Sequence, residues 1–348
     1  MSPYIITILL ASLGLGTTLT FMSSHWLLAW MGLEINTLAI LPLMAKHHHP
    51  RAVEATTKYF LAQAAAAATI LFASTINAWT TGEWNIQHLT HPLATTLTIM
   101  ALALKVGLAP MHFWMPPVMQ GLDLTTGLIM ATWQKLAPFA LIIQMAQTTN
   151  PTILLTLGML SVIVGGWGGL NQTQLRKILA YSSIAHLGWM IAIVQFKPHL
   201  TVLTLLLYIM MTSATFLAFK LAAATKINSL AMNWSKTPTL APIMTLTILS
   251  LGGLPPLTGF MPKWLILQEL TTQDLPTTAT IMALGALLSL YFYLRLCYAM
   301  TLTIPPNTNN STSPWRLQNT QNTIMLSSMI MMTLMLLPLT PMMQALII

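Results

Sequence analysis

Apolar runs long enough to cross a bilayer follow one another along almost the entire chain. They lie near residues 3–21, 25–45, 55–80, 91–116, 124–146, 150–170, 175–195, 199–223, 238–268, 275–302 and 323–346, bounded by Pro, Asn, Gly or charge. A transmembrane helix needs about 20 such residues. Only 6% of the 348 residues are charged, against about 25% in soluble domains. Such a chain cannot cover a water-facing surface. The expected fold is all-α: a polytopic membrane protein of about eleven transmembrane helices forming one membrane domain over 1–348. The first run has no basic region before it and no small-residue cleavage site, so it is expected to be retained as a helix.

Composition also excludes functions. The single cysteine, Cys297, rules out a disulfide framework and any four-cysteine zinc or iron–sulfur site. No metal or cofactor is expected in this chain. The net charge of +8 is scattered over loops rather than gathered into a tract, so nucleic acid is not an expected partner. The run His47–His49 precedes Pro50 in a basic loop and reads as solvated. The segment GGWGGLN at 165–171 lacks the third glycine of a dinucleotide fingerprint. The basic loop residues are strongly one-sided. Lys46, Arg51, Lys58, Arg176, Lys177, Lys226, Lys236 and Arg316 fall on the side of the N-terminus, and Lys197 alone falls opposite, with Glu83, Glu269 and Asp274. The positive-inside rule then puts the N-terminus on the cytoplasm-equivalent side and the C-terminus opposite.

Residues 107–116 read GLAPMHFWMP and residues 253–262 read GLPPLTGFMP. Gly, Leu, Pro, Met and Pro recur in register, with Trp114 against Phe260. Five spans separate the copies, so the second runs through the membrane inverted. Paired, interrupted helices in an inverted repeat mark a transport site. Two inverted five-helix repeats are expected, 1–148 and 149–303, followed by a linker and C-terminal helix over 304–348. The spans at 91–116 and 238–268 should be broken. Pro110, Pro255 and Pro256 are the hinge positions, because proline lacks the amide hydrogen and frees a carbonyl at membrane depth.

Charge inside these runs is costly and tends to face a protein interior or a hydrated path. Glu34 and Lys105 are natural partners in spans two and four. Lys135 lies mid-span in TWQKLAP and Lys263 follows the second break in GFMPKW. A desolvated lysine exchanges a proton where arginine does not, so these four positions point to proton transfer. His112 and His186, with side chains that titrate near neutrality, are either relay groups or packing hydrogen-bond donors. Lys220, at a span end, snorkels or functions. Arg295 reads as a structural counter-charge or interface anchor.

With these residues in place, the chain resembles the antiporter-like membrane-arm subunits of respiratory complex I in vertebrate mitochondria. The resemblance rests on SSHWLLAWMGLEINTLAI, RAVEATTKYFLAQ, GLAPMHFWMP, TWQKLAP, VGGWGGLNQTQLRKILAYSSIAHLGWM and GGLPPLTGFMPKW, and it covers essentially the whole chain. It implies a proton-translocating subunit of an NADH:ubiquinone oxidoreductase in the inner mitochondrial membrane, with the N-terminus on the matrix side. Glu34 and Lys105 would gate one half-channel, Lys135 would be the central relay, and Lys263 would link to the next antiporter-like subunit. His112 and His186 would belong to the connecting axis. Three N-terminal spans of the longer bacterial members would be missing. NADH, FMN, iron–sulfur clusters and ubiquinone would belong to other subunits, and the partners would be those subunits and lipid. A stand-alone cation/proton antiporter and a non-pumping scaffold are the alternative readings.

Overall fold

The structure is a computed structural model that describes residues 2–45, 49–235, 237, 239–302 and 323–347. Lys46, His47, His48, Lys236 and Arg316 lie outside the described residues, as does the linker before the last span. Among the described residues the chain is helical and contains no strand. In order run α1 (Pro3–Met22), α2 (Trp26–Met44), α3 (Pro50–Thr81), α4 (Pro92–Val106), α5 (Met115–Gly121), α6 (Leu124–Ala131), α7 (Trp133–Met145) and α8 (Pro151–Gly169). Then come α9 (Leu175–Ile193), α10 (Pro198–Leu221), α11 (Ile227–Ala231), α12 (Leu240–Gly252), α13 (Phe260–Thr272), α14 (Pro276–Thr301), α15 (Ile324–Met335) and α16 (Thr340–Ile347).

The punctuation of the sequence explains many of these ends. Helices α1, α3, α4, α8, α10 and α14 all open with proline. At the first helical position its fixed φ fits and its missing amide costs nothing. Helix α9 is buried on nearly all faces and stands as a central column packed against α5, α8 and α10. Outward, Phe72, Trp79 and Leu284 are largely exposed, a surface suited to lipid rather than water.

The span map holds in outline and fails in detail. Among the described residues seven helices are long and apolar enough to cross a membrane, or eight if the bent pair α15–α16 counts as one. The expected count of eleven is not met by that measure. The spans at 91–116 and 238–268 divide into short helices, and α9 carries Arg176, Lys177 and His186. Span eleven, expected to be continuous, bends by 67° at Leu336 to Leu339, where Pro338 stands. Span five, also expected to be continuous, is one of those seven as Leu124–Met145 and is interrupted only locally, at Thr132 between α6 and α7.

Loops assigned to one side of the membrane do meet. His25 bridges to Asn85 and Gln174 to Lys226. Lys197 reaches the Glu269 carboxylate at 2.5 Å.

Candidate functional site

The two expected breaks share a backbone solution. Helices α4 and α12 end at Gly107 and Gly253, with φ of +88° and +80°. Only glycine adopts this left-handed state without penalty. The amides of Gly107 and Leu108 both return to the Ala103 carbonyl, and those of Gly253 and Leu254 to the Leu249 carbonyl. These are Schellman-type caps. Pro110, Pro255 and Pro256 face outward rather than lining a cavity, as an apolar ring without a donor can do at no cost. Further carbonyls near each helix end are met by side chains. The Trp114 indole donates to the Leu104 carbonyl at 2.9 Å, and Lys263 Nζ donates to the Gly252 carbonyl at 2.7 Å.

Beneath the first break, Asn36, Tyr59, Gln63, Lys105, Gln134 and Lys135 line one cavity. Its space for water centres is about 20 Å³, room for a single water molecule at roughly 10–15 Å³ each. Gln63 donates to the Lys105 carbonyl and Gln134 to the Asn36 carbonyl, tying α3 to α4 and α7 to α2. Asn36, Lys105 and Lys135 are 3%, 5% and 3% exposed. Neither the Asn36 amide atoms nor Lys105 Nζ makes a hydrogen bond to protein. Buried donors of this kind need a partner, and a bridging water would supply one.

Glu34 is not in this cavity. Its neighbours Leu33, Asn36 and Thr37 take the inward face of α2, and Glu34 Oε2 accepts from Thr37 at 3.1 Å. The expected Glu34–Lys105 contact is therefore not made, although the carboxylate lies near enough for the two charges to interact. His112 is buried but stacks on Phe113 and faces Tyr181. It is not among the residues lining the lysine cavity.

Lys135 Nζ donates to the Tyr208 hydroxyl at 2.8 Å and sits 4.8 Å from the centre of that ring. The Tyr208 hydroxyl donates in turn to the Ala131 carbonyl at 3.2 Å. That carbonyl is free because of the break at Thr132: the Lys135 amide, its regular helical partner, bonds to the Thr132 carbonyl instead. On the far side of Tyr208 the His186 ring lies 5.6 Å away, centre to centre. His186 feels both Lys135 and Lys263 and lies near the backbone of Leu251. His186 and Lys263 also share a small cavity of about 10 Å³. Lys263 in addition borders an outward-opening, mostly apolar crevice of about 400 Å³ with Trp189, Phe260 and Trp264.

Tyr208, Asn36, Gln134 and the Thr132 break were not expected from sequence. The signals were faint: one tyrosine in the apolar run TLLLYIMM, and amides beside already suspect charges in EIN and WQK. Arg295, read as a structural counter-charge or interface anchor, donates to the Leu170 carbonyl at 2.7 Å and caps α8. Lys220 is exposed in the last turn of α10, where a cation favours the helix end. No group of three or more metal-ligating side chains occurs among the described residues.

Residues 23–289 match the family model described as NADH:quinone oxidoreductase/Mrp antiporter, TM, and residues 290–344 match the NADH dehydrogenase subunit 2 C-terminus. A Formosania lacustris protein named NADH-ubiquinone oxidoreductase chain 2 is 73% identical over 99% of both chains. Its Carassius auratus counterpart is 72% identical over 98% of both. A chain of respiratory complex I from Thermus thermophilus is similar in structure, with TM-score 0.85, 28% identity, and coverage of 99% of this chain and 80% of that one. A chain of the Mrp complex from a Dietzia species shares the fold, with TM-score 0.83 and 15% identity, over 97% of this chain and 76% of that one.

Proposed function

The chain belongs to the NADH:quinone oxidoreductase/Mrp antiporter family, and from that premise we infer that it is a core membrane-arm subunit of respiratory complex I. It is a membrane-embedded, multi-span subunit of a proton-translocating NADH:ubiquinone reductase. The redox cofactors belong to other subunits, and it assembles with them. We place it in the inner mitochondrial membrane with the N-terminus on the matrix side, on the strength of the one-sided basic loops.

Within this role the reading goes further. Lys105, Lys135 and Lys263, with His186, form a lateral proton relay, and Glu34 modulates Lys105 across a short gap. The observation that carries this is the continuity of polar groups through an apolar interior. Lys105 and Lys135 line one water-sized cavity, Lys135 bonds to Tyr208, Tyr208 packs on His186, and His186 shares a cavity with Lys263. A water between Lys105, Asn36 and Lys135 would close the first gap. His112 lies off this line and serves packing at the first break. Residues 1–148 and 149–303 are read as the two inverted half-channels, a division supported by the matching ends of α4 and α12.

Each proton step shifts the charge seen by its neighbours, so the lysines titrate together. Quinone reduction elsewhere biases one end of the line, and the bias passes along it as altered protonation. The test is Lys135→Met in the assembled complex. The expected result is retained NADH oxidation with fewer protons moved per electron. An unchanged ratio would sink the relay.

A further inference from the structure

Tyr208 joins the two halves of the relay, and its hydrogen bonds are set by simple donor arithmetic. A charged Lys135 ammonium has donors and no acceptor. The Tyr208 oxygen accepts from it at 2.8 Å, so the tyrosine's own proton must point elsewhere. It points to the Ala131 carbonyl at 3.2 Å. A neutral Lys135 amine would have a lone pair at that distance, and the Tyr208 hydroxyl would donate to it. Tyr208 keeps its proton in both arrangements, and only the acceptor changes.

We propose that Tyr208 is a positioning residue that couples the charge of Lys135 to the helix break between α6 and α7. With Lys135 charged, the Ala131 carbonyl is occupied by Tyr208, and the Lys135 amide turns to the Thr132 carbonyl at 3.3 Å. With Lys135 neutral, the Ala131 carbonyl loses its partner. A buried orphan carbonyl is costly, and the amide able to meet it in regular helix geometry is that of Lys135. The break then closes by one hydrogen bond. Gln134, which holds the Asn36 carbonyl at 3.3 Å, is carried along with it. The wall of the water-sized cavity thereby responds to the proton it helps to move. The other titratable groups around the pair are His186 on α9, Tyr293 on α14 and, across the cavity, Lys105 on α4; a hydroxyl, Ser183, also lies beside the Tyr208 oxygen.

This inference rests on the relay reading, and its test separates the two. Tyr208→Phe keeps the ring beneath Lys135 and removes only the hydroxyl. In the intact complex it is expected to support NADH oxidation while lowering protons moved per electron, in the same direction as Lys135→Met. If Lys135→Met lowers the ratio and Tyr208→Phe leaves it at the wild-type value, the Tyr208 role is overturned and the relay stands. If Lys135→Met has no effect, both fall. Structures of the wild-type complex at rest and in turnover decide the matter even if Tyr208→Phe does not assemble. One state should show the Tyr208–Ala131 contact opened and a Lys135 amide to Ala131 carbonyl bond formed. Retention of the Tyr208–Ala131 bond in every state overturns the proposal.

Discussion

The end of α4 and the end of α12 pose the same chemical problem and solve it with different atoms. Both stop at a left-handed glycine, both fold two amides back onto one carbonyl, and both leave a further carbonyl to be met by a side chain. At α4 the donor is the neutral Trp114 indole. At α12 the matching aromatic is Phe260, which has no donor; the Ser250 carbonyl, equivalent to that of Leu104, is met by the Gly253 amide, and the ammonium of Lys263 meets a different carbonyl, that of Gly252. The lysine beside the first break, Lys105, keeps an Nζ with no protein hydrogen bond, on the water-sized cavity. The lysine beside the second is engaged by backbone. Repeated sequence therefore does not mean repeated duty. One copy presents a free ammonium and the other a tethered one.

The sharpest way to break this comparison is Lys263→Met, which strips the second break of its donor and its charge together. Charge-assisted hydrogen bonds contribute about 1.5–3 kcal/mol. The assembled complex is expected to lose thermal stability and proton coupling together, read by a melting curve and by protons per electron. Next come the two glycines. Alanine at either left-handed position costs about 1–2 kcal/mol. At Gly253 the new Cβ would lie 2.8 Å from Lys263 Nζ, whereas at Gly107 it would meet the Met115 sulfur at 3.3 Å. Gly253→Ala should therefore be the more damaging of the pair in parallel assembly and pumping assays, and equal effects would contradict the tether. Trp114→Phe makes the first break resemble the second. It should cost about 1–3 kcal/mol for the unmet Leu104 carbonyl, unless Lys105 swings across to cap it. In that case stability is kept and pumping is lost.

The smallest expected effect lies away from both breaks. Burial pushes the Glu269 carboxyl up, but hydrogen bonds from Lys197 and Gln273 outweigh it and hold the group below its usual range. A carboxylate so lowered stabilises the fold above its unfolded pKa and loses that contribution as pH falls through the folded value. Lys197 is 59% exposed, so the gain is slight. Hydrogen exchange in the turn after α13 should quicken only below the ordinary carboxylate range, and Glu269→Gln should abolish that dependence.

Much of this was legible in the residues. Proline at helix starts and apolar runs located the spans, and the GLAP and GLPP motifs located both breaks. The breaks were readable because glycine and proline act through the backbone at their own positions. Thr132 carries no such mark, and the Tyr208 hydroxyl that meets the Ala131 carbonyl freed there comes from a helix some 76 residues on. The bonding of Lys263 was hidden for the same reason, since an orphan carbonyl names no donor in sequence. Glu34 was misplaced by reading charge without helix phase. At 100° per residue, Asn36 and Thr37 turn inward beside Leu33, and Glu34 turns aside.

Tyr208 and Lys263 each bond to a backbone carbonyl at or near a helix end, those of Ala131 and Gly252. The same side chains proposed to pass charge are thereby the fasteners of the scaffold. A lineage that abandoned transport could not let these positions drift to leucine one at a time, because each loss would open a helix terminus inside the bilayer. Inheritance of the architecture thus carries the proposed relay groups with it, and their loss one at a time is disfavoured unless those termini are rebuilt in concert.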